Sequence, residues 1–152
     1  MPLLSRLFFY SAECYNVIGK ELLKQNRKLY IADLGLRNHI LQRSRYDLGF
    51  AIENIVFLEL LRSGYKVNVG KVGSMEIDFV AEKNSLLNYY QVTASLIDKS
   101  TFEREMASLA AVKDNYPKII LTLDRFTLGD YKGIKVIHLL DWLLELRTGA
   151  FS

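Results

Sequence analysis

The sequence predicts one α/β domain with a mixed central sheet flanked by helices. Three observations predict it. A strongly apolar helical stretch at 48–63 is followed at once by strand-like segments at 65–69, 75–81 and 87–93. A helix start at 100 is followed by an apolar, β-branched run at 118–123. Adjacent strands first and a helical crossover later imply antiparallel and parallel pairing in one sheet. The chain's 152 residues suit a single domain.

The elements are justified in order. Phe8, Phe9 and Tyr10, then Tyr15 to Ile18, read as short strands, with Gly19-Lys20 as a turn. Lys28 to Ala32 reads as a strand and Asp33-Leu34-Gly35 as its exit, before a short helix reaching about Gln42. Residues 1–27 are thus expected to be an N-terminal extension or hairpin joined to a domain over 28–152. Asp47 is placed to cap the helix from Leu48 to Ser63, and Gly64 to end it. Apolar residues surround that helix, so it is expected to be covered on most sides, and its carboxylates Glu53 and Glu59 need partners. Glu82-Lys83-Asn84-Ser85 reads as the turn between the second and third strands. Ser100-Thr101-Phe102-Glu103 has the form of a capping box, and Pro117 helps to end the helix it opens. Ile134 to Ile137 reads as a strand and Leu139 to Leu146 as a closing helix.

Bulk composition narrows the function classes. Half of the residues are apolar and 24% are charged, the balance of an ordinary globular protein. The net charge of +3 permits nucleic-acid binding without arguing for it. No apolar run approaches the length that spans a bilayer. A single cysteine, Cys14, forms no internal disulfide and suits a reducing cytoplasm. The apolar run in Met1-Pro2-Leu3-Leu4-Ser5-Arg6 is too short to be expected to act as an export signal. His39 and His138 lack partners at metal or triad spacing, and there is no Gly-x-Ser-x-Gly elbow for acyl transfer.

Polar residues within the apolar strands mark the candidate site. In Met75-Glu76-Ile77-Asp78-Phe79-Val80, simple alternation puts Ile77 and Phe79 on one face and Glu76 and Asp78 on the other. A two-residue loop at Asn84-Ser85 pairs 83 with 86 and brings Asp78 opposite Gln91. Directly paired residues have Cβ atoms about 4.5–5.5 Å apart, within reach of one metal ion. Glu53, early in the preceding helix, is a possible third oxygen donor. Such a set suits Mg²⁺, which binds one or two carboxylates plus water and phosphate. Each residue also has a plainer reading: Glu53 paired with Arg37, Asp78 solvated on a strand, and Gln91 and Thr93 as polar partners in a sheet.

A helix Glu, a strand Asp and then a (D/E/Q)-x-K on the next strand resembles the PD-(D/E)xK, or restriction-endonuclease-like, nucleases. More specifically, the chain resembles the domain at the C-terminus of many bacterial and archaeal AAA-type ATPases. The residues that carry this are Lys28-Leu29-Tyr30-Ile31-Ala32-Asp33-Leu34-Gly35-Leu36-Arg37-Asn38, Glu53 to Leu60, Glu76 to Val80, Tyr90 to Thr93, Asp114 to Lys118 and Asp141 to Leu144. The resemblance implies a restriction-endonuclease-like fold, catalytic residues Glu53, Asp78, Gln91 and the residue at 93, and Mg²⁺ held by Glu53, Asp78 and Gln91. It also implies an ATPase module in cis. Here Cys14 stands where a P-loop ending in Gly19-Lys20 needs glycine, so ATP binding is not expected of these residues.

The pattern departs at Thr93, where the family has lysine. Losing a positioned charge typically lowers a rate by on the order of 10²–10³. Lys66, Lys71 and Lys99 are candidates to replace it. The leading expectation is a catalytically degenerate nuclease-like domain that binds DNA or a protein partner. The alternatives are an active Mg²⁺-dependent endonuclease and a non-catalytic module for homo-oligomerisation.

Overall fold

The structure, a computed structural model, describes residues 8–35 and 47–148; side chains at 24–26 are excepted. The helix expected to reach Gln42, together with Arg37 and His39, lies outside the described residues. Strands β1 (Phe9–Asn16) and β2 (Glu21–Ile31) precede helix α1 (Leu48–Arg62). Strands β3 (Lys66–Val72), β4 (Met75–Lys83) and β5 (Leu86–Thr93) follow. Helix α2 (Lys99–Ala110) leads to β6 (Lys118–Thr122), β7 (Gly129–Tyr131), β8 (Ile134–His138) and helix α3 (Leu139–Thr148).

The eight strands form one mixed sheet in the order β2-β1-β3-β4-β5-β6-β8-β7. β3, β4 and β5 are an antiparallel meander, whereas β5, β6 and β8 run parallel. α1 and α3 cover one face through Ile52, Val56, Phe57, Leu60, Leu139 and Trp142. α2 covers the opposite face, where Leu109, Phe102 and Met106 meet Ile77, Val80 and Ile120. Burial on both faces accounts for the continuously apolar run in β6.

Local chemistry sets the element ends. Asp47 caps α1 by accepting the Phe50 N–H, and Gly64 (φ 83°) follows the helix in the left-handed conformation. The α2 cap is Asp98 rather than the expected Ser100: its carboxylate accepts the Thr101 N–H, so the helix starts at Lys99. β1 and β2 are longer than the short strands expected from sequence, and β2 continues unbroken through residue 28. Asn16 closes the turn between them by accepting N–H groups from Ile18 and Gly19, so the strand expected at Tyr15–Ile18 holds for Tyr15 and Asn16 and gives way to a turn at Val17 and Ile18. β7, three exposed residues long, has no counterpart in the sequence reading.

The hairpin register agrees with the sequence reading. Lys83 pairs with Leu86, and pairing continues to Phe79 with Tyr90. Asn84 and Ser85 both have positive φ (53° and 63°), as a tight two-residue turn requires.

The expected face alternation fails at Asp78. β3 pairs Asn68 with Val80 but Gly70 with Ile77, so Asp78 and Phe79 together oppose Val69. This β-bulge turns Ile77 to the α2 face and Phe79 to the α1 face, where one shared face was expected. A Cβ built on Gly70 would lie 2.8 Å from Val80 Cγ2 and 2.9 Å from the Ile77 Cβ. Glycine therefore permits the close approach at the bulge. Gly70→Ala is expected to destabilise the fold by about 1–3 kcal/mol through overpacking, read as a lower urea midpoint. An unchanged midpoint would show that the bulge has slack.

Candidate functional site

The bulge redirects Asp78 into the space between two strands. Backbone pairing of β4 with β5 ends at Phe79–Tyr90, and side chains continue the ladder from there. The Asp78 N–H donates to Gln91 Oε1 at 2.6 Å, and Asp78 Oδ2 accepts the Val92 N–H at 2.8 Å. Asp78 and Gln91 do meet, as their pairing predicted, but each holds the other strand's position instead of sharing an open ligand site.

Gln91 is locked from both ends. Its amide nitrogen donates to Glu105 Oε2 and to Ser108 Oγ, each at 2.9 Å, from α2. Glu105 is buried, and Arg104 holds its other oxygen at 2.8 Å. This explains the amide at 91. A carboxylate there would confront the Glu105 carboxylate and lose both donated bonds.

Glu53 approaches from the α1 side. Its Oε1 accepts the Tyr30 hydroxyl at 2.7 Å and lies 2.7 Å from Lys28 Nζ. Tyr30 is fixed by stacking on Phe57, ring centroids 4.0 Å apart, one helical turn from Glu53. Lys28 also bridges to Glu76 at 3.2 Å. Burial alone would lower the Lys28 pKa, but the hydrogen bond and charge of Glu53, aided by Asp78 and Glu76, hold it raised. Lys28 therefore remains an ammonium.

Burial pushes the Asp78 carboxyl up to about 7, and the charge of Glu53 adds to the rise. The Val92 N–H and Lys28 oppose it. The structure thus brings Glu53, Asp78 and Gln91 to one region. Thr93 is engaged elsewhere, its hydroxyl donating to the Ser95 carbonyl at 3.1 Å.

Lys28, Tyr30, Glu76 and Glu105 complete the cluster. Sequence reasoning gave none of them a site role. Lys28 stands at the head of the block that carried the family resemblance, and strand alternation puts Lys28 and Tyr30 on one side. That alternation was the available signal. Of the lysines expected as substitutes, Lys99 pairs with Glu103, while Lys66 and Lys71 lie on β3 opposite Glu82 and Glu76.

The arrangement fits poorly with the Mg²⁺ site expected from sequence. Among the described residues no group of three His, Cys, Asp or Glu side chains is arranged to hold a metal ion. Glu53 Oε1 carries an ammonium, and the Gln91 oxygen is bonded to a backbone N–H. Both would have to let go before ligating.

A cavity of about 400 Å³ opens beside Asp78, Gln91, Arg104 and Glu105. A larger one, about 960 Å³, lies between α2 and the β7–β8 hairpin. Two of its polar residues are already paired, since Asp114 accepts the Tyr89 hydroxyl at 2.6 Å and lies 3.5 Å from Lys118 Nζ. The smaller cavity, adjoining the perturbed carboxylate, is therefore the better candidate for chemistry.

Other polar residues have structural roles. Asp124 gathers the Leu96 N–H and the Thr127 hydroxyl, each at 2.7 Å. Burial would raise its carboxyl, but those donors and Thr122 hold it down at about 2. Buried Glu59 pairs with Arg62, whose hydrogen bond outweighs burial and lowers the carboxyl's pKa. His138 Nε2 lies 3.0 Å from the Leu123 carbonyl oxygen, which anchors the ring between strands. Burial pushes the Cys14 thiol up and makes it a poor nucleophile.

No family model matches the chain. It is 44% identical over 146 residues to an uncharacterized protein of Haemophilus influenzae. The match covers 95% of this chain and 36% of that protein, so the chain spans about a third of the relative's length. No helix among the described residues is long and apolar enough to cross a membrane.

Proposed function

We propose that this chain is a restriction-endonuclease-like domain of the kind carried by AAA-type ATPases, with a nuclease site that no longer cleaves. Its work is then to bind DNA or a protein partner for a motor module on the same polypeptide. The order helix, three-stranded meander, helix, parallel strand supports the fold reading. The relative's greater length leaves room for such a module. A reducing, cytoplasmic setting suits the single buried thiol.

One observation carries the degenerate reading. Two of the oxygens that would hold Mg²⁺ are already engaged, Glu53 Oε1 by Lys28 and Tyr30 and Gln91 Oε1 by the Asp78 N–H. Lys28 also favours a second reading, an active Mg²⁺-dependent endonuclease. It brings to the acidic cluster the positive charge that Thr93 lacks.

The test is incubation of plasmid and single-stranded DNA with Mg²⁺ or Mn²⁺, using wild type and Asp78→Ala. The expected result is no cleavage above the variant's background. Metal-dependent cleavage abolished by Asp78→Ala would establish the endonuclease instead. Salt-sensitive DNA retention without cleavage would identify the partner as nucleic acid. No retention, with a stable dimer in solution, would favour an oligomerisation module.

A further inference from the structure

We propose that Lys28 is a built-in cation that occupies the centre of the acidic cluster in place of a divalent metal ion. The inference deepens the degenerate reading and rests on it for the expectation that a metal belongs there.

The geometry carries it. Lys28 Nζ stands 2.7 Å from Glu53 Oε1 and 3.2 Å from Glu76 Oε1, on two different elements, α1 and β4. Asp78 lies close enough for its charge to act on the same ammonium. Two carboxylates thus share one cation, with the Asp78 charge nearby, and that cation arrives from β2 on the far side of β1. An oxygen that ligates Mg²⁺ approaches it to about 2.0–2.1 Å. The same Glu53 oxygen cannot meet that demand while holding the ammonium.

Neighbouring contacts fix the placement of Lys28. Glu53 is positioned by its bond to Tyr30, which is itself stacked on Phe57. The next residue along α1, Asn54, bonds both the N–H and the carbonyl of Ile31 at 2.8 Å. These contacts hold β2 against α1 on the residues flanking the ion pair. The ammonium is therefore delivered by the fold, without a long search by a free side chain.

Removing the charge while keeping the stem should expose a site for an added ion. Lys28→Met leaves Glu53 and Glu76 without their shared cation, beside the Asp78 carboxyl, and a divalent ion relieves the repulsion that results. The experiment is thermal unfolding of the full chain, wild type and Lys28→Met, with millimolar MgCl₂, MnCl₂ or CaCl₂ against NaCl of equal ionic strength.

The wild-type midpoint is expected to be the same in metal and in NaCl. The Lys28→Met midpoint is expected to rise by about 4 °C or more with metal. Adding Glu53→Gln to Lys28→Met should erase that rise. Should Lys28→Met be unfolded without metal, recovery of its far-ultraviolet circular dichroism on adding Mn²⁺ is the expected result.

Two outcomes overturn the inference: a wild-type midpoint that rises with metal as much as the variant's, or a Lys28→Met chain that neither gains stability nor refolds with metal. Failure here is distinguishable from failure of the functional reading. A wild type that cleaves DNA sinks degeneracy. A wild type that does not cleave, beside a Lys28→Met chain indifferent to metal, sinks the built-in cation alone.

Discussion

Asn54→Ala is expected to destabilise the protein by about 2–6 kcal/mol, from two buried backbone groups at roughly 1–3 kcal/mol each. Asn54 is fully buried, and its amide donates to the Ile31 carbonyl and accepts the Ile31 N–H, both at 2.8 Å. Phe9 faces Ile31 across the hairpin, and the bond to β1 is made one residue further on, from Ala32 N–H to the Phe8 carbonyl. The backbone groups of Ile31 therefore point away from β1. Asn54 meets them much as a neighbouring strand would, and so blunts the sheet edge at that residue. Alanine leaves donor and acceptor unsatisfied inside the fold. Asn54→Asp should also be harmful, since it can accept the N–H but turns a second oxygen toward the carbonyl. Urea unfolding of the three proteins is the check. A loss below about 0.5 kcal/mol for Asn54→Ala, the size of an ordinary surface substitution, would show that water replaces the amide.

The second large effect is a change in pH dependence. Asp78 has its folded pKa raised to about 7, against an unfolded value near 3.9. Between those values the folded protein keeps a proton that the unfolded chain has released. The contribution of this group is fully present below the unfolded pKa and is lost as pH rises through the folded pKa. Asp78→Asn removes that loss. Its side-chain oxygen can still accept the Val92 N–H, while Lys28 keeps Glu53 and Glu76. The variant is expected to gain about 1–2 kcal/mol relative to wild type at pH 8, discounted because the carboxylate is only partly buried from solvent. At pH 4 the two proteins should be nearly equal. Equal destabilisation of Asp78→Asn at both pH values would mean that the carboxylate acts through geometry rather than charge.

Local chemistry was legible in the sequence, and distant pairing was not. Asp47 and Gly64 mark α1 because caps act within one turn of a helix. The Asn84-Ser85 turn sets the β4–β5 register because a two-residue loop leaves little freedom. That register was enough to bring Asp78 to Gln91. The bulge at Asp78 escaped because it depends on β3, where Gly70 admits a side-chain approach that alternation along β4 says nothing about. Lys28 escaped for a related reason. Its partners stand on α1 and β4, and no spacing along the chain announces a contact between them. Asp98 displaced Ser100 as the α2 cap because two candidate oxygens lay within three residues, and the carboxylate is the stronger acceptor.

The join between β1 and β3 is short: the two strands pair at Cys14–Val69, Tyr15–Gly70 and Asn16–Lys71. The β1–β2 hairpin is therefore attached to the remaining sheet by a narrow seam, and the bonds of Lys28 and Ile31 to Glu53, Glu76 and Asn54 act as rivets across it. Hairpin detachment and release of Glu53 are consequently one event. Whatever competes for that carboxylate also pries at the hairpin, and a pull on the hairpin is felt at the carboxylate. In mechanical terms the polar cluster is a latch, and its strength sets how firmly the first two strands stay closed.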